Sequence, residues 1–185
     1  MVVVFTGNGK GKTTAALGAS LRAIGRGQRV LMGQFIKGPW VSGEDFATDL
    51  LIEKTVQASK IGKGGMEFRK LGLGFVGILG DKLPFKDHQK AANTAIEYFK
   101  TAISASDPAW DMVILDEVNV AVSLGLITAT EVLDLLVDLP EEKIVILTGR
   151  GAPDSFLERA DLATEMKELK HPFNSGKVGK INVEF

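Results

Sequence analysis

The chain has 185 residues, 45% hydrophobic and 24% charged, with 22 basic against 23 acidic side chains and a formal net charge of −1. This is ordinary globular composition for a single domain, residues 1–185, with a sizeable core; it excludes wholesale disorder, collagen and coiled coil, and it gives no general attraction to nucleic acid or to an anionic membrane. The absence of cysteine excludes disulfides, thiolate metal sites and cysteine nucleophiles, and no apolar stretch approaches the ~20 residues of a membrane helix.

Short β-rich runs alternate with longer helical patterns. Val2–Phe5 is a continuous apolar run, as expected of a strand buried on both faces, and with no basic leader it is too short for a secretory signal, which points to the cytoplasm. Thr13–Ile24 reads as a helix with Leu17, Leu21 and Ile24 on one face, ended by Gly25 and Gly27. Arg29–Phe35 is the next strand, and Lys37–Gly43 a loop in which Trp40 is a packing or lid residue. Glu44–Lys60 reads as a helix with a ragged apolar face; Ile61–Gly80 holds seven glycines, with Met66–Leu71 as a strand within it. Lys86–Ser104 is a clear helix, closed by Asp107-Pro108; His88 has no motif around it and is expected at the surface.

Met112–Asp116 is a strand, and Thr128-Ala129-Thr130-Glu131 fits a capping box opening a helix that runs to about Asp138. Lys143–Thr148 is a further strand, Pro153–Ala160 a short helix, and Leu162–Leu169 and Lys180–Phe185 are the last strand candidates. Alternation of this kind predicts a three-layer α/β domain with a mainly parallel sheet.

The most informative segment is Thr6-Gly7-Asn8-Gly9-Lys10-Gly11-Lys12-Thr13-Thr14, between an apolar strand and an amphipathic helix. Glycines let successive backbone N–H groups turn around phosphate oxygens, and the helix N-terminus adds unpaired donors and partial positive charge. Lys12 is placed to neutralise phosphates, and the Thr13 hydroxyl to hold a magnesium ion. The spacing departs from the usual P-loop: Thr6 occupies the first glycine position, and counted from Gly7 the loop is one residue short. The alternative is a plain strand-to-helix turn whose glycines serve packing.

A second site is the apolar strand that ends in Asp116-Glu117. In a parallel sheet with a P-loop, both sites fall at the carboxyl edge, where ligands bind and a carboxylate helps hold magnesium. Alternation along a strand sends the two acids to opposite sides, so that only one is expected to face the metal. Arg150 follows an apolar strand in a glycine loop at the same edge, where its planar fork suits phosphate; the alternative is a capping or surface arginine. Lys10 is solvent-facing by default but placed for phosphate contact, and Lys37 is divided between nucleotide contact and a solvated loop lysine. Arg22 lies ten residues of helix beyond Lys12, or ~15 Å away, so it belongs to a solvated face or an interface. Asp161 reads as a capping or structural residue, and neither histidine has metal-site spacing.

Taken together, these motifs resemble the P-loop ATP:corrinoid adenosyltransferases, which act on cob(I)alamin or cob(I)yrinic acid a,c-diamide. Gly7 to Gly18 looks like their shortened phosphate loop; Gln34-Phe35-Ile36-Lys37-Gly38, Gly43-Glu44, Gly74-Phe75, Asp116-Glu117-Val118-Asn119, Thr148-Gly149-Arg150-Gly151-Ala152-Pro153 and Lys170-His171-Pro172-Phe173 follow in the family's order. The resemblance implies a P-loop NTPase (RecA-like) fold and the transfer of 5′-deoxyadenosyl from ATP to the cobalt(I) of a corrinoid, with triphosphate leaving as a unit. It implies ATP and a corrinoid as substrates, Mg2+ as cofactor, an electron-donating flavoprotein as partner, and a possible homodimer. By the same resemblance Lys12, Thr13 and Glu117 act in catalysis, Thr13, Asp116 and Glu117 at the metal, Gly7 to Thr14 and Arg150 at the nucleotide, and Phe75 and His171 at the corrinoid. Two departures stand out: Gly77 occupies the place of the family's tryptophan, which with the phenylalanine covers the lower corrin face, and the stretch from Glu44 to Phe68 is longer than usual by about ten residues. These departures motivate an alternative, a P-loop ATPase or small-molecule kinase of the same fold that has lost the corrin site.

Overall fold

A computed structural model describes residues 1–38, 42–45, 64–78, 80–104, 110–172 and 176. Its centre is a six-stranded sheet of β1 (Val2–Thr6), β2 (Arg29–Gln34), β3 (Gly65–Lys70), β4 (Met112–Asp116), β5 (Ile144–Thr148) and β6 (Leu162–Glu165), in the order β3-β2-β4-β5-β1-β6. Every pairing is parallel, with Met32 opposite Ile114, Leu115 opposite Leu147, and Val4 opposite both Leu147 and Ala163. The apolar runs of β1, β4 and β5 reflect burial on both faces.

Alternation sorts the strand side chains into two cores. Val2, Val4, Leu31, Val113, Leu115, Val145 and Leu147 pack on one face, beneath α2 (Phe85–Ile103), α3 (Val118–Ser123), α4 (Ala129–Asp134) and α5 (Asp154–Arg159). Val3, Val30, Met32, Met112, Ile114 and Ile146 pack on the other face, against Ala16, Ala23 and Ile24 of α1 (Lys12–Gly25). The result is the three-layer α/β architecture that the element pattern predicts.

The structure corrects several expectations. The face that α1 buries is Lys12, Ala16, Ser20, Ala23 and Ile24, while Leu21 is 55% exposed. Of the predicted stripe, Ile24 is buried and Leu17 is half-buried against the same core, so that only Leu21 turns out to solvent, its place taken by the small side chains of Ala16, Ser20 and Ala23. The capping box at Thr128 is present, but α4 ends at Asp134 and residues 135–138 continue as turns. β6 is limited to the four residues that pair with Val3–Thr6 of β1. His88 is buried at 3% exposure and paired with Asp81, not at the surface. Asp161 is structural: its carboxylate accepts the Val2 N–H at 2.5 Å, where β1 begins. Residues 43–45 are helical, whereas 46–60 and 180–185, with the other predicted helix and strand, and Trp40 and Phe173, lie outside the described residues.

Candidate nucleotide site

All the chemistry predicted from sequence converges on the carboxyl edge of the sheet. β1 runs into the glycine loop, and α1 begins at Lys12 behind Gly11, whose φ of 107° suits glycine and whose lack of a side chain leaves the helix N-terminus without a side-chain cap. Gly7, also at positive φ (94°), and Gly9 are required by a close approach as well. A Cβ on Gly7 would stand 2.5 Å from the Met166 carbonyl oxygen, and one on Gly9 2.7 Å from the same atom. The chain leaving β6 thus lies directly against the loop, with the Gly9 N–H donating to Met166 O at 2.6 Å and the Met166 N–H donating to Thr6 O at 2.8 Å. Lys12 is 6% exposed and donates from Nζ to the carbonyls of Gly7 (2.8 Å) and Gly9 (2.7 Å). Burial lowers its pKa, while the carboxylates of Glu117 and Asp116 oppose that fall. Asn8, Lys10 and Thr14 are exposed on the outer side of the loop.

Asp116, at the end of β4, is completely buried and accepts hydrogen bonds at both oxygens. Thr13 Oγ1 donates to Oδ1 at 2.9 Å, Thr148 Oγ1 to the same oxygen at 2.6 Å, and Gln34 Nε2 to Oδ2 at 2.8 Å. This one carboxylate therefore ties together α1, β2, β4 and β5. The insertion of β5 between β4 and β1 brings Thr148 into reach, a neighbour relation that linear sequence does not carry. Asn119 completes the network, donating from Nδ2 to Gly149 O at 3.0 Å and to Phe5 O at 3.4 Å. The buried oxygens Gln34 Oε1 and Asn119 Oδ1 have no protein partner.

The expectation that Asp116 and Glu117 face opposite sides fails. Glu117 has φ of 61°, so strand alternation stops at Asp116 and the left-handed turn redirects the second carboxylate. Its N–H donates to Thr148 Oγ1 at 3.0 Å, and burial, followed by the Asp116 carboxylate, raises its pKa against the opposing charges of Lys12, Arg150 and Lys37. Glu117 thus belongs to the same electrostatic cluster as Lys12, Asp116 and Arg150. Arg150 itself is exposed, and Lys37 pairs with Glu44 at 3.4 Å.

Thr13, Asp116 and Glu117 form an oxygen-only donor set, which suits a hard cation such as magnesium rather than zinc. Among the described residues there is no group of three or more His, Cys, Asp or Glu side chains arranged to hold a metal. Magnesium tolerates this, because one or two carboxylates with phosphate and water are its usual ligands.

Phe75 and His171 stand on other segments. Phe75 follows β3 and is 42% exposed; its segment is laced to the end of β2 by Gly72 N–H to Gln34 O and Gly74 N–H to Ile36 O, each at 3.0 Å. A Cβ on Gly72 would meet Phe35 O at 2.3 Å, which accounts for glycine there. His171 is half-buried, on the segment continuing from Met166. Spacing alone gives no role to Gln34, Thr148 or Met166; the first two are signalled by a polar residue ending an apolar strand and by opening two of the segments that resemble the family's.

A strand, a glycine loop that closes on a buried lysine, and a helix whose first-turn threonine bonds a strand-end aspartate define a P-loop nucleotide-binding protein of the α/β class. The family model described as ATP:corrinoid adenosyltransferase BtuR/CobO/CobP matches residues 1–185, and the chain belongs to that family. Its relatives include the corrinoid adenosyltransferase of Escherichia coli K12, 34% identical over 185 residues, spanning 100% of this chain and 85% of the relative. The corrinoid adenosyltransferase CobA of Salmonella typhimurium is 33% identical over 190 residues with the same coverage. A corrinoid adenosyltransferase from Sinorhizobium sp is 38% identical over 187 residues, covering 100% of this chain and 80% of the relative.

Proposed function

We infer that this chain transfers the 5′-deoxyadenosyl group of ATP to the cobalt(I) of a corrinoid. Cobalt supplies the electron pair for the new Co–C bond at the ribose 5′ carbon; the C5′–O bond breaks, and its electron pair leaves with triphosphate. The observation that carries this reading is the Lys12–Thr13–Asp116–Glu117 cluster on an uncapped helix N-terminus, within a chain matched by the family along its whole length. A nucleophile as strong as cobalt(I) needs no serine or cysteine and no general base. The protein's tasks are to hold two substrates in line and to stabilise a departing polyanion.

Each residue has a part in those tasks. Free amides of the loop 7–14 and the Lys12 ammonium take the polyphosphate, which requires Lys12 to exchange its two loop carbonyls for phosphate oxygens. Lys10 and Arg150, both exposed at the edge, add charge-assisted hydrogen bonds. Thr13, Asp116 and Glu117 would hold Mg2+, which when bound neutralises charge on the leaving triphosphate. Asp116 orients the Thr13 hydroxyl, and Glu117 stands beside Lys12 as its principal counter-charge. Phe75 offers an apolar surface to the corrin, and His171 borders the corrinoid side. A cytoplasmic location, an electron-donating flavoprotein that maintains cobalt(I), and a homodimer complete the proposal. No helix among the described residues is long and apolar enough to cross a membrane.

An anaerobic assay with ATP, magnesium and cob(I)alamin tests the reading. The expected products are adenosylcobalamin, seen by its spectrum, and triphosphate in equal amount. ADP and phosphate without adenosylated corrinoid would replace it with the ATPase or kinase reading, which Gly77 in the tryptophan position motivates.

A further inference from the structure

The connection from β3 to α2 is anchored at two places. The first is the pair of glycine amides, Gly72 and Gly74, bonded to the chain leaving β2. The second is Asp81, whose carboxylate accepts the N–H of Gly77 at 2.8 Å and that of Leu83 at 3.0 Å, and lies 3.1 Å from His88 Nε2. His88 is in the first turn of α2 and buried, with its side chain 2% exposed against 8% for Asp81, whose bonds to the loop amides lie at the surface. Between the anchors the chain passes through Gly74, Gly77 and Gly80 at φ of 115°, 69° and 82°. A loop so rich in glycine carries a large entropy cost of ordering, and a carboxylate with three partners in and beside it opposes that cost.

The loop held in this way turns Val76 towards the core while Phe75 is 42% and Ile78 59% exposed. Leu83 and Phe85, at 45% and 47%, extend the exposed apolar character to the start of α2. Large apolar side chains concentrated in one short segment mark a surface that a ligand covers. We propose that Asp81 and His88 are a positioning pair for the corrinoid: they fix the loop so that Phe75 and Ile78 are presented together to the corrin ring, with Ile78 supplying apolar area where Gly77 has no side chain. The pair acts through the loop and touches neither substrate. Fixing the loop beforehand removes an ordering cost from corrinoid binding and none from ATP binding. This proposal rests on the reading above that Phe75 meets the corrinoid.

The test compares His88→Ala, Asp81→Asn, His88→Gln and Ile78→Ala with the wild type. For His88→Ala, Asp81→Asn and Ile78→Ala the KM for cob(I)alamin is expected to rise about tenfold while the KM for ATP stays within about twofold. His88→Gln, whose amide nitrogen can still donate to Asp81, is expected to restore most of the corrinoid KM. Parallel rises in both KM values, or an unchanged corrinoid KM in both His88→Ala and Asp81→Asn, would overturn the proposal. Amide hydrogen exchange provides a readout independent of turnover: Gly77 and Leu83 are expected to be protected in the wild type and to lose protection in Asp81→Asn, and fast exchange of both in the wild type would refute the clamp itself. A wild-type enzyme that forms no adenosylcobalamin while these amides are protected would reject the corrinoid function and leave the clamp as a restraint on the loop alone.

Discussion

Lys12 donates two hydrogen bonds to its own loop and lies near Glu117 and the buried Asp116, whose negative charges it offsets; in the proposed reaction it is also the ligand of the polyphosphate. Lys12→Ala is therefore expected to lower the transfer rate by about 100-fold or more and to weaken ATP binding, measured by single-turnover kinetics and titration. Asp116→Asn separates charge from shape. Its Oδ1 can still accept from Thr13 and Thr148, and its new Nδ2 can donate to Gln34 Oε1, the buried oxygen now without a partner, if the Gln34 amide turns over. The expected outcome is a stability loss under about 1 kcal/mol in denaturant titration, together with a tenfold or greater loss of magnesium-dependent nucleotide affinity. A variant that unfolds would show that the carboxylate charge itself holds the site together. Lys12, Thr13 and Asp116 are legible in sequence because each occupies a fixed offset from a strand end or a helix start. Glu117 is legible as an acid but not in its direction, because one left-handed residue cancels the strand rule, and His88 is illegible because its partner Asp81 becomes a neighbour only when the loop folds back.

Among the elements, the phosphate loop depends on a neighbour that its own sequence does not announce. The chain after β6 takes the Gly9 N–H and lies where any Cβ on Gly7 or Gly9 would fall. Gly9→Ala must displace Met166 and Lys167, both backbone contacts, and is expected to cost about 1–3 kcal/mol in stability and to weaken ATP binding in a calorimetric titration. The capping box of α4 is the opposite case, written wholly in local sequence. Thr128 Oγ1 and N–H donate to Glu131 Oε2 at 2.6 and 2.7 Å, and these bonds hold the Glu131 pKa below its ordinary value. A carboxyl whose folded pKa is depressed adds stability above its unfolded pKa and loses it as pH falls through the folded one. Thr128→Ala should thus cost about 1 kcal/mol near neutral pH, and the gap from wild type should shrink on acidification below the ordinary glutamate range, as read from urea midpoints at a series of pH values. A gap that stays constant with pH would mean that Glu131 contributes nothing through its charge. The α1 face is legible only in part: Ile24 and Leu17 of the leucine-spaced stripe pack on the sheet, but Leu21 faces solvent and Ala16, Ser20 and Ala23 complete the buried face.

At the scale of the whole molecule, the alternation of apolar runs and amphipathic helices is enough to specify a three-layer parallel fold, since strands buried on both faces have few other sequence signatures. Strand order is not specified, because which strands become neighbours is decided by long-range packing. That order matters to the site: with β5 between β4 and β1, the carboxyl edge of the sheet gathers the ends of β2 and β5 and the start of α1 around Asp116 at the end of β4. A ligand bound there bridges elements far apart in sequence and so resists global unfolding, not local fraying. At one hundred times its dissociation constant such a ligand adds about 2.7 kcal/mol to stability. For a domain of this size that corresponds to a rise in Tm of roughly 5–11 °C. Magnesium and ATP together are expected to produce this shift in a thermal melt of the wild type, and Lys12→Ala is expected to abolish it while keeping a cooperative transition. No shift in the wild type at millimolar ATP would mean that the loop does not hold the nucleotide, whatever its likeness to other phosphate loops.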